Sequence, residues 1–384
     1  MTTFPTARLA ERRTPFYYYD TELLERTLET IATETSDRPD FIVHYAVKAN
    51  ANPALLRIIA RHGLGADCVS GEEISAALGA GMDAGKTVFA GVGKTDDEIN
   101  LGLDQGIACF NIESLEELAV IDHLSGLKGT KANVAIRFNP DIKANTIAQI
   151  STGRRENKFG ISTDMIDEVA EAVKGCKHIV FKGTHIHIGS QITDMDDFVR
   201  LAQSMNAIVV TLEGKGLDVE TINVGGGLGI DYANPDTAAV ADFGAYFGVF
   251  KTHLRTRPGQ TVHFELGRSI VAQCGSLISR VTYVKHGCGR RFVILDAGMN
   301  DLVRPAMYKA HHEIQNLTPH GGTERYDVVG PVCESSDVFA CDAVLPVTCR
   351  GDLVAIRSAG AYGETMASRY NLRPLAPGFT DKDL

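Results

Sequence analysis

The chain has 384 residues, 44% of them hydrophobic, enough to bury a sizeable core in one large barrel plus a smaller domain. A formal charge of −10 and a pI near 5.7 argue against broad non-specific binding to nucleic acid or to anionic membranes. No apolar run approaches the ~18 residues of a membrane span, and Met1 to Arg13 lacks the apolar core of a secretory signal.

Pro15 to Asp20 reads as a short strand, and a helix begins at Thr21. From Phe41 a rhythm of short apolar runs and amphipathic segments sets in. The strand candidates are Ile42–Val47, Gly65–Val69, Thr87–Ala90, Ala108–Ile112, Asn133–Phe138, Val180–Ile188, Thr221–Val224 and Val262–Glu265. Helical patterns, among them Asn52–His62, Met195–Glu213 and Thr237–Leu254, fall between them. Eight alternations of this kind predict a parallel (β/α)8 TIM barrel over residues 21–265. A doubly wound open sheet is the competing layout, although no glycine fingerprint follows the first strand. After Arg268 short strands such as Ile270–Ala272, Leu277–Val284 and Phe292–Asp296 predict an all-β C-terminal domain over 266–384, with the strand at 14–20 crossing over to join it.

Eight cysteines (Cys68, Cys109, Cys176, Cys274, Cys288, Cys333, Cys341 and Cys349) form no C-x-x-C pair. That spacing suits neither a disulfide framework nor a zinc site, so the expectation is a reducing cytoplasm and no metal.

The chemistry gathers where strands end. Phe41-Ile-Val-His-Tyr-Ala-Val-Lys48 closes an apolar run on a lysine. Such a lysine either snorkels to solvent or, desolvated, serves as an amine nucleophile toward a carbonyl. Gly225-Gly-Gly227 after the seventh strand is either a tight turn or a loop whose N–H groups face a phosphate; Ser190 and Arg268 would add donors. His187 is either a core histidine or a ring laid against an aromatic cofactor. Glu265 either caps a helix or holds a proton on a ring nitrogen. Together, an amine, an anion cradle and a later carboxylate meet the three needs of pyridoxal 5′-phosphate.

At this point the sequence resembles the diaminopimelate decarboxylases, within the alanine-racemase-like group of pyridoxal-phosphate decarboxylases. The resemblance rests on ordered motifs running nearly end to end. They are His44-Tyr-Ala-Val-Lys-Ala-Asn50, Val88 to Thr95, Phe110-Asn-Ile-Glu-Ser114, Ser151 to Ile161, His187-Ile-Gly-Ser-Gln191, Gly225 to Gly229, Glu265-Leu-Gly-Arg268, Asp301-Leu-Val-Arg-Pro305, Gly330 to Ser335 and Gly360-Ala-Tyr362.

The resemblance implies a homodimer with two shared sites and the decarboxylation of meso-2,6-diaminopimelate to L-lysine. Lys48 would carry the cofactor, His187 would stack on its ring, and Glu265 would bond the ring nitrogen. Ser190, Gly225, Gly226, Gly227, Gly267, Arg268 and Tyr362 would hold the phosphate end. Arg304 and Tyr308 would grip the distal carboxylate of the substrate, which Arg268 and Tyr362 would also contact, and Glu334 its ammonium. Cys333 would act as general acid from the neighbouring subunit. The alternatives are a sister decarboxylase acting on ornithine, lysine or carboxynorspermidine, and a non-catalytic pyridoxal-phosphate carrier. Four departures from the family pattern stand out, one of them Ser336 in place of a glycine before Asp337. Leu266 replaces a proline and is expected to loosen the turn before Arg268; Asn145–Gln149 lacks a histidine; and the segment after Pro374 is expected to lack a final charged strand.

Overall fold

The computed structural model describes residues 4–140, 158–287 and 289–384. The segment Asn145–Gln149, most of the Ser151–Ile161 motif and Cys288 lie outside the described residues. By internal packing the chain forms two compact units. One comprises Leu28–Gly229 and Asp242–Gly267; the other comprises Met1–Thr27, Ile230–Ala241 and Arg268–Leu384.

The first strand in the chain, β1 (Phe16–Tyr19), belongs to the second unit. The first unit holds β2 (Phe41–Ala46), β3 (Gly65–Cys68), β4 (Thr87–Phe89), β5 (Cys109–Ile112), β6 (Ala132–Asn139), β7 (Ile161–Ser162), β8 (Ile179–His185), β9 (Thr221–Asn223) and β10 (Thr261–Leu266). Their order is β5-β4-β3-β2-β10-β9-β8-β6, and β5 also pairs with β6, so eight parallel strands close on themselves. β7 adds a short pairing to β6. The barrel expectation holds, and the open sheet is excluded by the β5–β6 closure.

β10 shows how alternation builds this unit. Phe264 points outward, with its ring centroid 4.9 Å from Phe41, 5.0 Å from Phe247 and 5.3 Å from Phe250. Its neighbours His263 and Glu265 face the other way, as a two-residue period demands. Polar caps then start the helices directly after the strands: Ser70 Oγ accepts from Glu73 N, and Ser114 Oγ from Glu117 N. Thr95 and Glu98 form a reciprocal capping box. The predicted helix from Thr237 starts instead at Phe243, because Asp242 caps it through Ala245 N.

The second unit is a mixed sheet of β1, β11 (Gly275–Gly287), β12 (Arg290–Leu295), β13 (Ile314–Asn316), β14 (Thr323–Val329), β15 (Val338–Pro346), β16 (Leu353–Ile356) and β17 (Gly378–Thr380). β1 pairs antiparallel with β11 and parallel with β17, so the segment after Pro374 supplies a final strand, a short uncharged one, Gly-Phe-Thr. Its core gathers Phe4, Leu9, Phe16, Tyr18, Ile278, Leu353 and Ala355.

Two local expectations are corrected. Ile270–Ala272 is not a strand: Arg268–Val271 form one buried helical turn, closed by Ala272 N donating to Arg268 O. Short β-branched runs are ambiguous by pattern alone, and packing decides. Leu266 lies in the strand before the turn, not in the turn itself. It is the last residue of β10, fully buried and paired with Tyr45, where proline would have lacked the ladder N–H. Among the described residues no helix is long and apolar enough to cross a membrane.

Candidate active site

In the barrel unit the side chains singled out from the sequence stand at strand C-termini. Lys48 lies in a short 3-10 turn directly after β2, and its Nζ donates to Asp67 Oδ2 at 2.5 Å. Asp67, on β3, has no exposed surface. Burial, then the negative charge of Glu265, pushes its carboxyl up to about 6 against the pull of Lys48.

Glu265 is held by two amide donors, with an imidazole beside it. Its Oε1 accepts from Asn111 Nδ2 at 3.0 Å and from Asn223 Nδ2 at 2.8 Å, while His185 Nε2 lies 3.1 Å from Oε2. Burial alone would raise this carboxyl. The charge and hydrogen bond of His185, with Lys48 and His187, outweigh it and keep Glu265 ionised well below the usual carboxylate range. The helix-cap reading of Glu265 is set aside, because its carboxylate meets side chains from across the barrel, on β5, β8 and β9.

His187 follows β8. Gly226 N donates to its Nδ1 at 3.1 Å, which leaves Nε2 as the protonated nitrogen of a neutral ring. Burial first, then the cations Arg137 and Lys48, pushes its pKa well below the ordinary value. The glycine run therefore differs from expectation. The N–H of Gly225 is committed to Asn223 Oδ1 and that of Gly226 to His187, since buried N–H groups need acceptors. Only Gly227, at φ +110°, has no protein acceptor for its N–H among the described residues. A Cβ on Gly226 would sit 1.7 Å from Glu265 O, so glycine is needed there for close approach. Gly267 is similarly crowded by Ala46 and Ala49. Ser190 lies in the turn between Gly189 and Gln191, both at positive φ.

In the second unit a separate group forms around Tyr232. Arg268 Nη1 donates to Tyr232 Oη at 2.5 Å, and its guanidinium lies 4.9 Å from the Tyr362 ring centroid. Arg304 lies over the same Tyr232 ring at 5.2 Å and near Tyr308 at 6.0 Å. Cys333 and Glu334 are exposed on a loop, where Cys333 N donates to Asn371 Oδ1 and Tyr370 Oη donates to Glu334.

A family model described as the pyridoxal binding domain of pyridoxal-dependent decarboxylases matches residues 22–272. Over 381 residues the chain is 55% identical to the diaminopimelate decarboxylase of Bacteroides thetaiotaomicron, covering 99% of each. The crystal structure of diaminopimelate decarboxylase from Helicobacter pylori complexed with L-lysine superposes with a TM-score of 0.90 at 39% identity, covering 99% of this chain and 94% of that one. The M. jannaschii diaminopimelate decarboxylase in co-complex with L-lysine also superposes, with a TM-score of 0.90 at 35% identity over 98% and 90% of the chains. The chain belongs to the diaminopimelate decarboxylase family.

Diaminopimelate decarboxylases of this family are pyridoxal-dependent, and the barrel residues fit that cofactor. An amine, a buried carboxylate held ionised, a neutral imidazole and a glycine N–H with no protein acceptor all stand on the strand C-terminal side of the barrel. Asp67, Asn111, Asn223, Tyr232 and His312 escaped the sequence reading. Asn111, Asn223 and His312 lay inside stretches singled out for other residues; Asp67 and Tyr232 carried no local signal beyond being polar residues in buried runs.

Proposed function

We propose that the chain releases CO2 from meso-2,6-diaminopimelate and leaves L-lysine, working as a cytoplasmic homodimer with shared sites. The observation that carries the substrate reading is Arg304: a buried guanidinium with no carboxylate partner among the described residues. A planar guanidinium pairs two-pronged with a carboxylate and discriminates strongly against a ligand lacking one.

Bound pyridoxal phosphate supplies a carbonyl for amines and a ring that accepts the electron pair left when CO2 departs. Lys48 is the amine that would hold the cofactor's carbonyl end. Glu265, kept ionised by His185 and two asparagines, holds a proton on the ring nitrogen. His187 would cover a face of the ring. Gly227 and Ser190 are the barrel groups that would bond the cofactor's phosphate. Tyr308 assists Arg304 at the distal carboxylate, and Glu334 takes the distal ammonium. Cys333 donates a proton to the carbon that lost CO2, acting from the neighbouring copy. The exposure of Cys333 and Glu334, beside Leu372 at 96% exposure, supports a surface made to enter a second copy. Free thiols throughout the described cysteines support the cytoplasmic placement.

The test is CO2 release from meso-diaminopimelate, L-lysine and L-ornithine presented in parallel. Release from the first alone is expected; comparable release from L-ornithine refutes the substrate assignment.

A further inference from the structure

Arg304 opens a five-residue helical turn and is 5% exposed. Its faces are lined by the rings of Tyr232 and Tyr308. Its single hydrogen bond to protein among the described residues runs from Nε to His312 Nε2 at 3.3 Å. The four N–H bonds of Nη1 and Nη2 therefore have no protein acceptor there and are left for a ligand anion or for water.

His312 can play acceptor for one reason. Its Nδ1 lies 2.9 Å from Arg357 O, and a carbonyl only accepts, so Nδ1 carries the proton and Nε2 the lone pair. Burial first, then the charge of Arg304, pushes its pKa to about 3, so the ring stays neutral through the working range. Arg357 is anchored in turn, through Nη2 to Asp236 and Nη1 to Gln315.

A guanidinium can meet a carboxylate side-on, through Nε and one Nη, or end-on, through both Nη atoms. With Nε taken, only the end-on fork remains. We infer that His312 is a positioning residue which commits Arg304 to end-on capture of a ligand carboxylate, and thereby sets the preference for amino acids carrying a second carboxylate at the far end. The inference rests on the proposal that Arg304 grips the distal carboxylate.

The experiment uses the holoenzyme with His312→Leu, His312→Gln and Arg304→Met. Steady-state constants for meso-diaminopimelate are measured, together with inhibition by L-lysine and by 1,5-diaminopentane. Loss of CO2 at one end leaves the other carboxylate intact, so L-lysine keeps the group Arg304 would hold, and 1,5-diaminopentane lacks it.

His312→Leu is expected to raise both the KM and the L-lysine inhibition constant about 10-fold or more, the range for a hydrogen bond to a charged group. Its kcat should stay within about threefold of the parent, and 1,5-diaminopentane should inhibit as before. The glutamine amide accepts from Nε and donates to Arg357 O, so His312→Gln should recover most of the loss. Equal weakening of both inhibitors, or no weakening, overturns the positioning role. Should the leucine variant not fold, His312→Asn, whose shorter amide reaches one partner only, gives the same readout. Arg304→Met separates the two ideas. If it too spares L-lysine binding, the reading of Arg304 fails; if it alone loses L-lysine, only the role of His312 fails.

Discussion

The Nζ atom of Lys48 lies 2.5 Å from Oδ2 of Asp67, a carboxylate wholly removed from solvent. With its carboxyl pushed up to about 6, Asp67 carries its charge above that pH and loses it below. The ionised form holds the lysine as an ammonium, which is unreactive toward carbonyls. Asp67→Asn mimics the uncharged form. Mixed with pyridoxal phosphate above pH 6, apoprotein carrying this change should load faster than the parent, and the two rates should converge below pH 6. Loading is followed by the near-visible absorbance, which Lys48→Ala should lack altogether. An offset constant with pH would remove the Asp67 charge from the account.

Glu265 makes a second, separable prediction. Glu265→Gln keeps an oxygen to accept from Asn111 and Asn223 but removes the charge proposed to face the ring nitrogen. The variant should fold and bind cofactor, with kcat down on the order of 10²-fold, the usual loss when one preorganised electrostatic partner is deleted. Cofactor absorbance and CO2 release, measured on one preparation, check both halves. Retained turnover would reassign Glu265 to structure.

The barrel was legible in the sequence because its strands are buried on both faces and its helices are amphipathic, so each element announces its own period. The rim was legible because chemistry-bearing residues recur just past each apolar run. What stayed hidden depends on closure. Asn111 and Glu265 are 154 residues apart and meet only because β5 and β10 face one interior. Asp67 sits in a four-residue buried strand, Gly65–Cys68, where nothing local says which way a side chain points. His312 acquires its role from the carbonyl of Arg357, 45 residues on. The run at Ile270 was misread for the complementary reason: a β-branched pattern is local, and the packing that makes it helical is not.

Glu113 tests how the strand ends are held together. Its carboxylate takes Arg137 Nη1 at 2.6 Å, Gly160 N at 2.8 Å and Gly91 N at 3.2 Å, and the ion pair is buried at both ends. Burial alone would raise this carboxyl, but the charge and hydrogen bond of Arg137 more than offset it and hold it below its ordinary range. Glu113→Ala strands a buried guanidinium and two backbone donors, so unfolding free energy should fall by about 3–5 kcal/mol. A loss under ~1 kcal/mol in urea denaturation would mean that water replaces the carboxylate without difficulty.

A pair of histidines inside the barrel predicts an acid-sensitive term. Lys86 O can only accept, so His44 Nδ1 bears a proton; His44 Nε2 then accepts from His263 Nδ1 at 2.7 Å, and His263 Nε2 from Thr261 Oγ1. Burial, followed by the proximity of His44, pushes His263 to about 3. The unfolded chain takes up that proton near pH 6.5 and the native one only near 3, so this stabilisation is complete above 6.5 and drains away as pH falls toward 3. Between pH 7 and pH 5 the loss from one such residue is about 2 kcal/mol. His263→Asn should lose that much less over the same interval. Equal losses in parent and variant would show that His263 already takes up its proton in the native state.

The shared-site proposal makes its own quantitative claim, because in a two-fold dimer each site would draw Lys48 from one copy and Cys333 from the other. Lys48→Ala and Cys333→Ala homodimers should each be nearly inactive. Mixed and allowed to exchange, half the dimers carry one copy of each kind. In such a dimer one site inherits both lesions and the other inherits neither, so roughly a quarter of parental CO2 release should return. A mixture that stays as inactive as its components, under conditions where tagged copies are shown to have exchanged, would place Lys48 and Cys333 of a single copy in the same site, or separate Cys333 from the reaction.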